Sequence, residues 1–224
     1  MEKKRASYVE PRSYFNDSMR KAAEEWEREH SRKVLSKWLN IELNDQPDAF
    51  INNFQSPTDI DELRDFLESS GGTNLDILLN EYKDGIEWSV HKNADIGDVV
   101  FFMCAKSSWD SRHIGGLRKE AREEGDAELI RFADEQYEKY KKIAGKIIAV
   151  GVVAALPDEV PPYYYGQRSQ WFALIDHIVL LKNPVDISKF NDFIMVSRTS
   201  AITKLKPEQF AMLIGVIERE NPNI

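Results

Sequence analysis

Histidine, cysteine and paired carboxylates are the side chains that move protons, hold metals or attack electrophiles; in this chain the histidines lie far apart in sequence, and although Asp and Glu are plentiful, no pair of them is singled out for acid–base work. Its four histidines are His30, His91, His113 and His177. No His-x-x-x-His and no Cys-x-x-Cys pair occurs, so the spacing offers no zinc-type ligand set. Asp176 and His177 are neighbours in a stretch that reads as a strand, where consecutive side chains point to opposite faces, so they are no in-line dyad. Cys104, the single cysteine, ends an apolar run in which a thiol acts as a small hydrophobe. Gly71-Gly72 and Gly115-Gly116 lack the strand-to-helix setting and the following Lys-Ser/Thr of a phosphate loop. No catalytic residue, metal ligand or cofactor is assigned, and the chain is read as a binding protein.

What the sequence does offer is ring stacking and local positive charge. Tyr163-Tyr164-Tyr165 follows Pro161-Pro162, and three phenols in a row behind two prolines are not all core, because their hydroxyls seek water or partners. Lys204 and Lys206 lie close to Arg198, giving three positive charges within nine residues. An Asn40 amide has the donor and acceptor needed to read a base edge, although an asparagine there also suits a turn.

The elements that must position these residues follow from periodicity. Residues 16–37 repeat apolar side chains at three- and four-residue steps and read as a helix. Trp38, Asn40 and Glu42 alternate with Leu39, Ile41 and Leu43, the period of a half-buried strand. Two short helices are expected at Ile60–Leu67 and Leu75–Tyr82, then extended segments at Ile86–Val90 and Val99–Cys104. Residues 111–143 read as a helical hairpin broken at Gly125. Strands follow at Lys146–Leu156 and Trp171–Leu181, and Pro207 opens a last helix. The expected fold class is α+β, with a small, bent, barrel-like sheet, flanking helices and the inserted hairpin. Residues 1–36 are expected to be a helical N-terminal extension to a domain spanning 37–224.

The 224 residues carry 30 Lys and Arg against 38 Asp and Glu, a net charge of −8. Residues 39–144 hold twelve basic against 23 acidic side chains, whereas residues 1–38 hold ten against seven. This balance argues against a protein that coats nucleic acid by charge alone, and leaves room for a small local site. One cysteine excludes an internal disulfide framework. No apolar run approaches the roughly 20 residues that span a bilayer. The Met-Glu-Lys-Lys-Arg start has no apolar core behind it. The expectation is a soluble cytoplasmic protein without membrane partners.

Three pieces occur in order: Glu87-Trp88-Ser89-Val90 with Ile96-Gly97-Asp98-Val99-Val100; Ile147 to Val153 with its internal Gly151; and Trp171 to Asp176, followed by Pro184-Val185 and Ser197-Arg198-Thr199. This set resembles the EVE family of PUA-like domains, relatives of the YTH domains. The likeness spans roughly residues 86–220, interrupted by the insert. It implies a module that holds a flipped or unpaired modified base, for example a methylated one, in an aromatic pocket, within DNA or RNA. In this resemblance Trp88 matches the family's Trp-Ser step and is either a cage wall or a core ring. Ser89 is a contact to the base edge or a strand-end serine. A second wall comes from Tyr164, Tyr165 or Trp171, with Trp109, just after Lys106-Ser107-Ser108, as a further ring and Asn40 as a possible edge reader. Arg198 takes the phosphate contact, with Lys204 and Lys106 beside the strand. Such modules work in defence or restriction settings with a nuclease or other effector as partner. The alternative is a protein-interaction or inhibitory protein on the same fold, without base recognition; the insert is read either as a second contact arm, basic at its start through Arg112, His113, Arg118, Lys119 and Arg122, or as a docking surface for a partner or a second copy. On the reader hypothesis, Trp88→Ala weakens binding to a modified oligonucleotide in fluorescence polarisation while thermal unfolding is nearly unchanged.

Overall fold

The computed structural model describes residues 17–69, 72–80, 85–160, 170–196 and 201–224. Along the chain the helices are α1 (Asp17–Leu39), α2 (Ile60–Glu68), α3 (Asn74–Asn80), α4 (Ile114–Glu124), α5 (Ala127–Ile143) and α6 (Pro207–Glu220). The strands are β1 (Ala49–Phe54), β2 (Ile86–Val90), β3 (Val99–Cys104), β4 (Lys146–Val153), β5 (Asp158–Val160), β6 (Gln170–Asp186) and β7 (Ile202–Leu205). They form one sheet in the order β2-β6-β4-β3-β1-β7, with β5 on β6. Among the described strands only β1 and β3 run parallel; the crossover between them carries α2, α3 and β2. The result is a mixed α+β fold: a curled, half-barrel sheet with helices on its flanks.

The curl has a local cause. Val150 faces Val179 and Val152 faces Asp176, so Gly151 alone opposes two residues of β6. The extra residue makes a bulge, which bends a strand and increases its twist. His177 sits inside it with φ 49, in the left-handed region. A Cβ on Gly151 would lie 2.8 Å from Ile175 and 2.9 Å from Ile178, so only glycine lets the strands close up here.

Side-chain alternation then divides the core. Phe50 and Phe54 of β1, with Val100, Phe102 and Cys104 of β3 and Trp88 of β2, face inward and meet α2 to α5. Ala49, Ile51, Val99 and Phe101 face the other way, against Leu35, Trp38 and Leu39 of α1 and Phe210, Leu213 and Ile217 of α6. The central strands are therefore buried on both faces.

Two expectations are corrected. Residues 38–44 are not a strand: α1 runs through Leu39, and Asn40 (φ 53) ends it. The Ile41 N–H reaches back to the Ser36 carbonyl at 3.1 Å, which makes Asn40 a left-handed helix stop. Leu35, Trp38 and Leu39 follow helical spacing onto α6, and that burial overrides the two-residue alternation. The boundary drawn at residue 37 accordingly falls inside α1. The opening strand is β1, at Ala49–Phe54, and β5 and β7 are also additional to the expected strands.

The hairpin of α4 and α5 turns at Gly125 (φ 76), with Asp126 capping the Glu128 and Leu129 N–H groups. It is tied to α3 by a buried network. Asp76 accepts from the Thr73 N–H and hydroxyl, both at 3.0 Å, from the Gln136 amide at 2.7 Å and from Lys139 Nζ at 2.8 Å. Burial pushes the Asp76 carboxyl up, but the Lys139 ammonium and the Thr73 donors more than offset it, holding it below its ordinary 3.8. Its stabilisation is therefore complete above pH 3.8 and is lost as pH falls through the lower folded value. Asp76→Asn should cost about 1–3 kcal/mol at pH 7, the range for leaving buried donors unpaired. In urea titrations the gap between variant and parent should narrow as pH falls below 3.8; a gap independent of pH would refute the assignment.

Candidate functional site: the seam between β1 and β2

β1 and β2 are four steps apart in the sheet order, yet the curl brings their side chains into contact. Asn52, only 2% exposed, points inward from β1 between Phe50 and Phe54. Its amide donates to the Ser89 carbonyl and lies 3.4 Å from the Ser89 hydroxyl oxygen. A buried amide in an apolar interior is costly unless it is hydrogen-bonded, and Ser89 supplies that bond. Phe50 stacks on His91, with ring centroids 5.4 Å apart. Lys204 of β7 lies opposite Phe50, its ammonium 5.8 Å from the ring centre and paired with Asp48. The seam thus combines an amide satisfied by the Ser89 carbonyl with the Ser89 hydroxyl nearby, two stacked rings and the Lys204–Asp48 ion pair.

Its rim is set by the turn before β3. Asp98 is 6% exposed and accepts from the Asp48 and Asp95 N–H groups, each at 2.8 Å. Burial raises its pKa, and nearby Asp48 and Asp95 add to the rise against those two bonds. Gly97 (φ 92) packs on Asn44, whose amide donates to the Ile96 carbonyl at 2.9 Å. This turn fixes the entry of β1 relative to β3.

Of the residues singled out in the sequence, Ser89 lies at the seam, and Trp171 neighbours it on β6, opposite Val90 and packed against the inner core. Trp88 does not line an open hollow. Its indole is 6% exposed and stands edge-on to Phe54 (5.8 Å) and Phe102 (5.3 Å), so the cage-wall reading is corrected to the core reading. Tyr164 and Tyr165 lie outside the described residues, in the connection from Val160 to Gln170, which pair directly with each other. Arg198 also lies outside them, between Val196 and Ala201; the Ala201 carbonyl accepts from the Asn53 N–H. Asn40 is exposed at the end of α1, on the opposite face of the sheet from Asn52. Lys106 and Trp109 lie in the turn after β3, near Gly145 and Tyr137 respectively. Asn52, Phe50 and His91 were not anticipated; the only signal was a pair of asparagines inside an otherwise apolar hexapeptide.

The Cys104 thiol is pushed up to about 12 by burial, so it stays protonated near neutral pH. His113 is held through both ring nitrogens, by Asp110 at 3.1 Å and Gln55 at 3.3 Å. No cluster of three or more metal-ligating side chains occurs among the described residues. No helix among them is long and apolar enough to cross a membrane.

No family model matches the chain, and no curated protein matches it. Among solved structures, the crystal structure of a protein from Agrobacterium tumefaciens overlaps 77% of this chain and 92% of its own, with 10% identity and a TM-score of 0.35. An overlap that loose identifies neither a fold family nor a function.

The placement of Trp88 reverses the expectation for its removal. Trp88→Ala should destabilise the fold by about 3–5 kcal/mol, the usual cost of emptying a buried aromatic site. Urea denaturation followed by circular dichroism measures this directly. A loss under about 1 kcal/mol would show that the ring is not part of the core.

Proposed function

We propose that this chain is a PUA-like, EVE-type module that binds DNA or RNA and holds one modified base at the β1–β2 seam. The observation that carries the reading is the Asn52–Ser89 pair, hydrogen-bonding groups set among rings where the edge strand β2 curls round to β1. A flipped base needs such a combination. Its extrusion costs a few kcal/mol, stacking returns about 1–3 kcal/mol per ring, and a buried methyl adds about 0.8 kcal/mol. In this reading Ser89 reads the base edge and Trp171 supplies one wall, with Tyr164 or Tyr165 as the other. Arg198 and Lys204 hold the flanking phosphates. The proposal places no catalytic step on this chain, so cleavage in a defence or restriction setting belongs to a partner nuclease or other effector.

A second reading has its own support. Leu75 and Leu79 of α3, Ile143 of α5 and Leu180 and Pro184 of β6 line a cavity of about 260 Å³ with Lys139 and Lys142 on its rim. An apolar cleft beside the helical hairpin suits a protein-interaction or inhibitory role without base recognition.

Fluorescence polarisation with single- and double-stranded oligonucleotides, each with and without N6-methyladenine or 5-methylcytosine, separates the two. The base-reading proposal expects tighter binding to one modified probe. Ser89→Ala should weaken that binding about three- to tenfold, the loss of one hydrogen bond, and narrow the preference. Equal affinity for every probe, or no binding to any, would favour the protein-interaction reading.

A further inference from the structure

We propose that Trp109 is a second contact, a stacking platform for an unmodified base of the same single strand, outside the β1–β2 seam. This inference rests on the nucleic-acid reading above and adds a site that carries affinity rather than discrimination. The Trp109 indole is 41% exposed. A lone exposed aromatic ring is ordinary on a protein surface. Three features separate this one from that background.

First, its turn is fixed at the root. The Ser56 hydroxyl donates to the Ser108 carbonyl, the Ser56 N–H donates to the Ser108 hydroxyl at 3.3 Å, and the Ile114 N–H donates to the Ser56 hydroxyl at 3.3 Å. Ser56 and Ser108 are both buried, so the ring is presented from a rigid base. Order before binding removes an entropy cost that a mobile loop would meet.

Second, the ring's edge-on neighbour, Tyr137, carries two cations. Trp109 meets Tyr137 of α5 edge-on, with centroids 6.4 Å apart. The Arg118 guanidinium lies 4.0 Å from the Tyr137 ring centre and the Lys141 ammonium 5.5 Å from it. Arg118 is neutralised by Asp134 at 2.6 Å. Lys141 has no carboxylate partner among the described residues, which leaves its charge for a phosphate. An open aromatic face beside uncommitted positive charge is the chemistry of single-strand binding.

Third, the turn is tied to the segment that follows the seam strand. Ser56 is four residues beyond Asn52, two past the end of β1, or about 13 Å at the rise of an extended chain. A few nucleotides span that distance. Trp, Tyr and Arg also make protein hot spots. The lysine without a carboxylate partner among the described residues favours a polyanionic strand over a protein face.

Stacking uses the flat face that every base has, so Trp109 should not sense the modification. The test uses the full chain with 12-nucleotide fluorescein probes, modified and unmodified, single-stranded and fully paired. Trp109→Ala should weaken binding to both single-stranded probes by about tenfold, leave their affinity ratio unchanged, and leave the paired probes unaffected. Trp109→Phe should recover most of the loss, which guards against a folding artefact. Lys141→Gln should reduce the slope of log K against log salt by about one. Unchanged affinity for Trp109→Ala, with parent discrimination intact, overturns this inference and leaves the seam reading standing. Parent binding that is equal for the modified and unmodified single-stranded probes but lost in Trp109→Ala keeps the platform and removes base reading; equal loss on the paired probes overturns the platform. No binding of the parent to any probe overturns both, and the patch is then not a nucleic-acid surface.

Discussion

The architecture depends on one packing constraint: the absence of a side chain at residue 151. Gly151 lets β4 approach β6 closely enough that two residues of β6 bulge opposite it, and His177 takes a left-handed backbone to complete the bend. Without that bend a path of six strands would lie as an open, twisted sheet with β2 and β1 far apart. With it, the Asn52 amide reaches Ser89 and Trp88 fills the space between Phe54 and Phe102. The curl thus creates the inner core and the polar seam together.

Three polar junctions in and around that core are held by short networks. Asp76 gathers Thr73, Gln136 and Lys139 and fastens the helical hairpin to α3. Ser56 and Ser108 fasten the turn after β3 to the end of β1. Asp98 ties the entry of β1 to the turn before β3. Each junction joins segments far apart in sequence, and each uses a small side chain whose reach is limited. Such junctions specify geometry more sharply than apolar contact does, because a misplaced buried donor loses its bond outright.

Much of the fold was legible, and the errors have physical causes. The hairpin of α4 and α5 announces itself through Gly125-Asp126, a left-handed stop followed by a capping carboxylate. β3 and β4 are legible as apolar runs because both faces of the sheet are covered. β1 was missed because Asn52-Asn53 has low strand propensity; its strand identity comes from Val99–Cys104 and Ile202–Leu205, which no local window contains. The alternation at residues 38–44 misled because Trp38 and Leu39 also satisfy helical spacing, and α6 rewards the helix. Trp88 carried its own correction. Ile86, Trp88 and Val90 alternate, so they share a face, and that face is the inner core. The seam itself was only half visible: Ser89 stood out beside its tryptophan, while Asn52 gains its meaning from a strand 37 residues away.

β1 is also the strand that must wait longest. It pairs in parallel with β3 and antiparallel with β7, and the Asp48–Lys204 ion pair at its entry joins residues 156 apart. While the polypeptide emerges from the ribosome, Phe50, Ile51 and Phe54 have no complete pairing until residue 205 is available. Loop closure on that scale is slow and leaves an unpaired strand edge exposed to other chains. Nascent chains stalled before that point would present this sticky hexapeptide to chaperones, whereas α4 and α5, whose contacts are local, would already have collapsed onto each other.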